Sequence, residues 1–500
     1  MTRFAPHSAA QVRQAPLPGQ PVSPAEWAAA GQALAAGRLT LLGLWGEPQA
    51  VRLALLDASR HRIGLLRLEA GETFPSIARL HPPAQRLERK IADLFGLAAT
   101  DSPDPRPWLD HGHWPHRHPL GHPQPPAAAA APYAFLPSEG ESLHQVPVGP
   151  VHAGIIEPGH FRFTAQGETV VRLEERLGYT HKGIQGLLLG APLARGAALA
   201  GRSSGDSAVA YQWAFAQAAE AALGLAPPPR ALHLRAIAAE MERLANHLGD
   251  IGAICNDAAF AMMLAQCAVL RESCLRATAT AFGHRFGRDL IAPGGTTRDL
   301  APEGAAALRA ATAEIAARLP RLIALYDGTA SLQDRTVGTG RLAPELAHQF
   351  GAGGFVGRAS GRDFDTRRDL PYAPYDRLSF RVPLRQDGDV NARIWIRFAE
   401  AEQSLALLAE LLDTLPEGPI AAPLPALEAP REGLGLTEGF RGDILVHPTL
   451  APDGSIARGH FRDPSWFQWP LLEAVIEGNI IADFPLCNKS FNCSYSGHDL

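Results

Sequence analysis

Cysteine is scarce in this sequence and poorly spaced for chemistry: five in 500 residues, at 255, 267, 274, 487 and 493, with no Cys-x-x-Cys pair. The chain alone cannot supply the four thiolates of an ordinary iron–sulfur cluster, and a disulfide framework is not indicated. Cys267 and Cys274, seven apart on a helical stretch, read as small buried apolar side chains. No apolar run approaches the roughly 18–20 residues that cross a bilayer, so membrane association would have to come through partners. Met1–Ser23 is polar and proline-rich without the apolar core of a signal peptide, which points to the cytoplasm. A one-signed charge excess is missing too. The net charge of -5 gives no electrostatic case for nucleic acid or for a polybasic membrane anchor. Neither Gly-x-x-x-x-Gly-Lys-(Ser/Thr) nor a strand-coupled Gly-x-Gly-x-x-Gly occurs, so nucleotide and dinucleotide sites are not supported.

What is present is a soluble globular composition, 46% hydrophobic and 19% charged, in a chain long enough for about two to four domains. Residues 24–104 read as an α+β unit. An alanine-rich helix over Pro24–Ala36 is followed by short strands over Leu39–Leu44, Val51–Asp57 and Arg62–Leu68, then by a helix holding Glu88 to Gly96. Residues 105–147 are rich in Pro and His, with the run Ala127–Ala131, and read as a linker without a core of its own. His111, His113, His116, His118 and His122 invite a metal reading, but carboxylate or thiol co-ligands at matching spacing are missing. Residues 148–500 form a mainly helical large domain. Its helices are expected near Pro192, over Ser207–Leu223 with Asp206 and Ser207 as N-cap residues, over Leu232–Ile251, over Ala258–Phe282 and over 302–325. They suggest a bundle core with small peripheral sheets around Gly442–Val446 and Ser455–His460.

Several stretches carry a resemblance. Arg202-Ser203-Ser204-Gly205-Asp206-Ser207 and Phe491-Asn492-Cys493-Ser494-Tyr495-Ser496 resemble the Arg-x-Cys-Gly-x-Cys and Asp-Pro-Cys-x-x-Cys ligand motifs of group 4 nickel–iron hydrogenase large subunits, the branch related to complex I. The run from Val148 to Phe163 resembles the first motif of those subunits. Glu242-Arg243-Leu244-Ala245-Asn246-His247-Leu248-Gly249-Asp250-Ile251-Gly252 is similar to a pattern they share with the complex I 49 kDa subunit. Glu88-Arg89-Lys90-Ile91-Ala92-Asp93-Leu94-Phe95-Gly96 resembles the signature of the complex I 30 kDa subunit, with Lys90 where that pattern has an acid.

The resemblance implies a docking unit fused to a hydrogenase-like large domain, with the four ligand positions on Ser204, Ser207, Cys493 and Ser496. Nickel and low-spin iron are held by soft thiolates, and a serine hydroxyl is a poor, protonated donor near neutral pH. The expectation is therefore the architecture without the metal, and a sequence that ends directly after this motif agrees with it. By the same resemblance Glu157 would relay protons as the catalytic carboxylate and His152 would line the cavity. Arg202, Asp206, Glu242, His247, Asp250 and Arg358 would form the cavity wall and a proton path. Plainer readings stand beside these: Glu157 satisfying backbone amides, Glu242 to Asp250 pairing helices, and Arg358 in a structural ion pair. No cofactor is expected in this chain. The implied partners are an iron–sulfur small subunit similar to the complex I 20 kDa subunit, a ferredoxin-like subunit and antiporter-like membrane subunits. The implied acceptor is a quinone or an unidentified one, although Gly205 stands where complex I has a tyrosine for the quinone head group; the alternatives are a catalytically silent coupling scaffold and a hydrogenase with an unusual ligand set. Such a chain would sit on the inner face of the cell membrane through its partners.

Overall fold

The computed structural model describes residues 6–126 and 132–500; the alanine run 127–131 and the first five residues of the polar N-terminal segment lie outside them. Helix α1 (Pro24–Ala35) starts where expected, because Ser23 and Glu26 form a reciprocal capping box and Pro24 occupies the first turn. Strands β1 (Thr40–Glu47), β2 (Ala50–Asp57) and β3 (Arg62–Glu69) make an antiparallel meander with β2 in the middle. Helix α2 (Gln85–Phe95) packs on β1.

The charged face of α2 points inward: Arg86, Glu88, Arg89, Lys90 and Asp93 are all buried. Arg86 pairs with Glu175 at 2.9 Å and Glu473 at 2.7 Å across the seam with the rest of the chain. Asp93 accepts the backbone N–H groups of Trp108 and Leu109 at 2.7 and 2.6 Å. Trp108 and Leu109 are themselves fully buried. The start of the stretch expected to be a core-free linker is thus part of the core, because one tryptophan packed against cations outweighs the polar composition around it. The Arg86 and Arg89 guanidinium carbons lie 4.4 and 4.6 Å from the Trp108 ring centroid.

The large domain opens with the antiparallel strands β4 (Leu143–Val148), β5 (His160–Gln166) and β6 (Thr169–Arg176). Its centre is helical: α3 (Ala208–Leu223), α4 (Pro229–Asp257), α5 (Ala261–Phe282), α6 (Pro302–Asp327), the short α7 (Gly354–Ala359) and α8 (Val390–Asp413). Helix α4 packs against α5 and α8, and α5 packs against α6. It outruns its expected end at Ile251 because Gly252 lets α5 approach closely. A Cβ there would stand 2.9 Å from Cys267 Cβ, so the glycine that weakens helix propensity is what the helix pair requires. A second small sheet, β7 (Gly435–Gly439), β8 (Gly442–Leu450) and β9 (Ile456–Arg462), covers α3. The chain closes with α9 (Ser465–Ile476), α10 (Phe484–Phe491) and α11 (Tyr495–Asp499). This is the expected α+β unit followed by a mainly α domain with small peripheral sheets. Among the described residues no helix is long and apolar enough to cross a membrane.

Candidate functional site

The loop before α3 and the turn between α10 and α11 meet. Asn492 ends α10 in the left-handed conformation, reversing the chain, and Ser494 caps α11 through Gly497 N–H. Ser494 N–H also donates to Ser465 Oγ at 2.8 Å, which docks the turn on the start of α9. Asp463 holds the same place, accepting from Tyr211 Oη at 2.6 Å and Ser465 N–H at 2.8 Å. Gly497 is required here: a Cβ would lie 2.4 Å from Asp463 Oδ2.

Ser204 Oγ lies 2.8 Å from Ser494 Oγ and donates to Asp206 Oδ1 at 2.8 Å. Ser207 Oγ donates to the same carboxylate oxygen at 3.3 Å. Arg441, on the β7–β8 turn, grips Asp206 with Nη1 at 2.7 Å and Nη2 at 2.5 Å. Burial pushes the Asp206 carboxyl up, but the Arg441 charge and hydrogen bonds outweigh it and hold Asp206 below its ordinary value. Cys493 and Ser496 are buried in the same turn. Burial, then the Glu175 charge, raises the Cys493 thiol well above its usual range, so it stays protonated. A nickel–iron centre would need thiolates from these positions. Three hydroxyls, two of them bonded to a carboxylate, and one protonated thiol do not fit it. Among the described residues no group of three or more His, Cys, Asp and Glu is placed to hold a metal ion.

From Arg441 a polar path runs inward. Its Nε donates to Asn492 O, Asn492 Nδ2 donates to Asp250 Oδ1 at 2.8 Å, and Arg397 Nε donates to Asp250 Oδ2 at 3.1 Å. One turn further along α8, Glu400 accepts from Arg358 Nε at 2.8 Å and lies 2.8 Å from His247 Nε2. Arg358 also reaches Glu438 at 3.0 Å and Asp365 at 3.4 Å. Beyond them Glu240 accepts from Arg367 at 2.9 Å, Tyr375 at 2.6 Å and Ser404 at 2.7 Å. Burial pushes Glu438 up to about 7, with the Asp365 charge adding to it. Glu400 goes the other way: its burial is overcome by Arg358 and His247, which hold it well below the carboxylate range.

Other expected residues lie elsewhere. Arg202 faces solvent in a bidentate pair with Asp289, at 2.7 and 2.8 Å. The reason is local: Arg202 also bonds Ala198 O on the preceding helix, which turns its side chain outward. Glu157 is exposed on the loop between β4 and β5, beside the exposed Val151, Ile155 and Ile156. Its carboxylate accepts Ser496 N–H at 3.2 Å, and His152 Nε2 bonds Gly159 O at 2.7 Å. Ser207 stands at the N-cap of α3 without capping it through its side chain. Glu242 of α4 supplies that cap instead, accepting Val209 N–H at 2.7 Å and Ala210 N–H at 3.1 Å. Its burial pushes it up to about 8 despite those two bonds. Of the histidines at 111–122, His111 and His118 bond the backbone oxygens of Leu177 and Ala92 at 2.8 and 2.9 Å, fastening the segment to both parts of the chain. Arg441, Ser494, Arg397, Glu400 and Glu438 were not singled out from sequence. For Arg441 a signal existed, an arginine set in the tight turn Gly439-Phe440-Arg441-Gly442 between two strands.

Comparison with known proteins agrees with this architecture. Residues 257–433 match the model of the respiratory-chain NADH dehydrogenase 49 Kd subunit, and residues 45–128 that of the 30 Kd subunit. The chain is 32% identical to formate hydrogenlyase subunit 5 of Escherichia coli (strain K12), over 85% of this chain and 77% of that protein. It is 30% identical to hydrogenase-4 component G of the same organism, over 85% and 76%. With one of the subunits of NADH-quinone oxidoreductase from Dehalococcoides mccartyi the identity is 31%, over 67% and 92%. The fold matches a chain in the structure of the membrane-bound sulfane sulfur reductase, an archaeal respiratory membrane complex. That match has a TM-score of 0.68 and 24% identity, over 72% of this chain and 99% of that one. With its two subunit-type segments in one polypeptide, the chain belongs to the family of formate hydrogenlyase subunit 5, hydrogenase-4 component G and the respiratory-chain NADH dehydrogenase 49 Kd subunit.

Proposed function

We propose that this protein is the large subunit of a membrane-associated oxidoreductase complex that works without a nickel–iron centre. It is cytoplasmic and peripheral, resting on a small subunit that carries iron–sulfur clusters, with a ferredoxin-like subunit and antiporter-like membrane subunits completing the complex. Its role is to accompany electron transfer in the neighbouring clusters, with quinone as the acceptor, by moving protons or strain through its own polar core.

The observation that carries this reading is the closure of the two motif segments on each other. Of the four positions where sulfur would be needed, Ser204 and Ser207 carry hydroxyls bonded to Asp206, which Arg441 grips, and Ser204 also meets Ser494 of the closing turn. The polar path from Arg441 through Asp250 and Arg397 toward Glu400 supports a coupling role, since neighbouring groups are joined by hydrogen bonds or charge. The test is the nickel and iron content of the purified intact complex, with hydrogen uptake assayed on the same sample. Nickel should be absent and iron accounted for by the partner's clusters. Near-stoichiometric nickel with hydrogen uptake would overturn the reading.

A further inference from the structure

The seam between α2 and the large domain holds two adjoining clefts that share Leu120 and Gln185 as a wall. One, of about 320 Å3, has Lys90 buried in its lining with Leu94, Trp114, Pro119, Leu120 and His181. The other, of about 300 Å3, is lined by Trp45, His447 and His460. Both volumes sit at the small end of ligand pockets, which begin near about 300 Å3.

Among the described residues, Lys90 Nζ, His447 Nε2, His460 Nε2 and Thr449 Oγ1 of this seam are buried without a hydrogen-bond partner, although His447 Nε2 lies 3.9 Å from the Glu432 carboxylate. Lys90 Nζ has only the Trp466 ring, 4.8 Å from its centroid, and the more distant charge of Asp499. That carboxylate is already committed to Thr180 and His498. Gln185 Nε2 lies 3.2 Å from His460 Nδ1; with Gln185 donating, the His460 proton is left on the unpartnered Nε2. Burying an ammonium without an acceptor is strongly unfavourable, and Asp499 of the same cleft acts on Lys90 through its charge alone, so what Nζ lacks is an acceptor at hydrogen-bond distance. Burial pushes Lys90 down to about 7, in keeping with that missing partner. Lys182 and Asp499 line the same cleft, but Lys182 Nζ is held by Arg202 O and Ser203 O and Asp499 by Thr180 and His498, so Lys90 is the cation left to balance one negative charge, and a dianion would leave one uncompensated.

We propose that this seam binds a small organic monocarboxylate, its carboxylate on Lys90 Nζ and its apolar body against Trp114, Pro119 and Leu120. The site is separate from the Ser204–Arg441 cluster and does not rest on the function proposed above. Octanoate is a probe of fitting size and charge, with octanol and octyl phosphate as neutral and dianionic counterparts. Isothermal calorimetry and thermal unfolding of the full-length chain should show one octanoate bound and a raised Tm, octanol without effect and octyl phosphate weaker. Lys90→Met, which removes the unpaired charge and should itself raise Tm, is expected to weaken octanoate by at least about tenfold. Gly186→Leu keeps Lys90 but projects toward Leu120, the one neighbour within 4 Å of a Cβ built there, at 3.7 Å, and should block the cleft. Failure of octanoate to bind the unmodified chain, or equal binding by the Lys90→Met variant, would overturn the site. Tighter binding of octyl phosphate would overturn the assignment of a singly charged ligand.

Discussion

Arg358 and Lys90 are both buried cations, and their surroundings are opposite. Arg358 is ringed by Glu400, Glu438 and Asp365, all supplied by this chain. Lys90 has an aromatic face and, among the described residues, no hydrogen-bond acceptor. A closed ion lattice fixes helices against one another, and breaking it exposes like charges to each other. An open one is where something outside the chain can bind.

The sharpest way to break the comparison is Arg358→Met. It leaves three carboxylates facing each other and should cost about 3–5 kcal/mol, read from the urea midpoint. A loss below about 1 kcal/mol would mean that the lattice is not holding the helices. Next in size is Arg441→Gln, which removes the grip on Asp206. About 1–3 kcal/mol is expected, with faster amide exchange over 492–500 and little change in α5 or α6.

The two kinds of buried charge also differ in pH dependence. Lys90 is held at about 7 against an ordinary 10.5. Between those values the unfolded chain keeps a proton that the folded chain has released, so stability rises with pH there. Glu242, raised to about 8 from 4.5, acts the other way. Between those values the folded chain holds the extra proton, and stability falls as pH rises. Lys90→Met should flatten the first slope and Glu242→Gln the second, in chemical denaturation across both windows. The smallest effect is Ser204→Ala, about 1 kcal/mol for the hydroxyl shared with Ser494 and Asp206, measured the same way. A much larger loss would place the main hold of the tail on Ser204 rather than Arg441.

How much of this was legible depended on the kind of information. Strands β1 to β3 and helices α2, α3 and α6 follow from composition and periodicity, and α1 from its capping box as well, all of which are local. The meeting of 202–207 with 491–496 was legible from motif resemblance. The partners were not, because the choice of Ser494 over Ser496 beside Ser204 depends on the left-handed turn at Asn492. Glu242 read as part of a path, yet it caps a different helix, and only the packing of α4 beside α3 makes that geometry available. Glu157 read as a proton relay or as an acceptor for backbone amides; it accepts Ser496 N–H from an exposed loop, and nothing in its own sequence says how far that loop stands off.

Trp108 has a consequence for how the polypeptide comes together during synthesis. Its indole N–H lies 3.2 Å from His498 Nε2, across 390 positions of sequence, while Arg86 and Arg89 pack on the ring. The inward charges of α2 thus acquire their full surroundings only when the stretch around His498 has left the ribosome. Until then the N-terminal unit carries an unfinished, sticky face, and a contact of such long range closes late. Chaperone occupancy of nascent chains should accordingly persist through the whole large domain and fall only once that stretch has emerged.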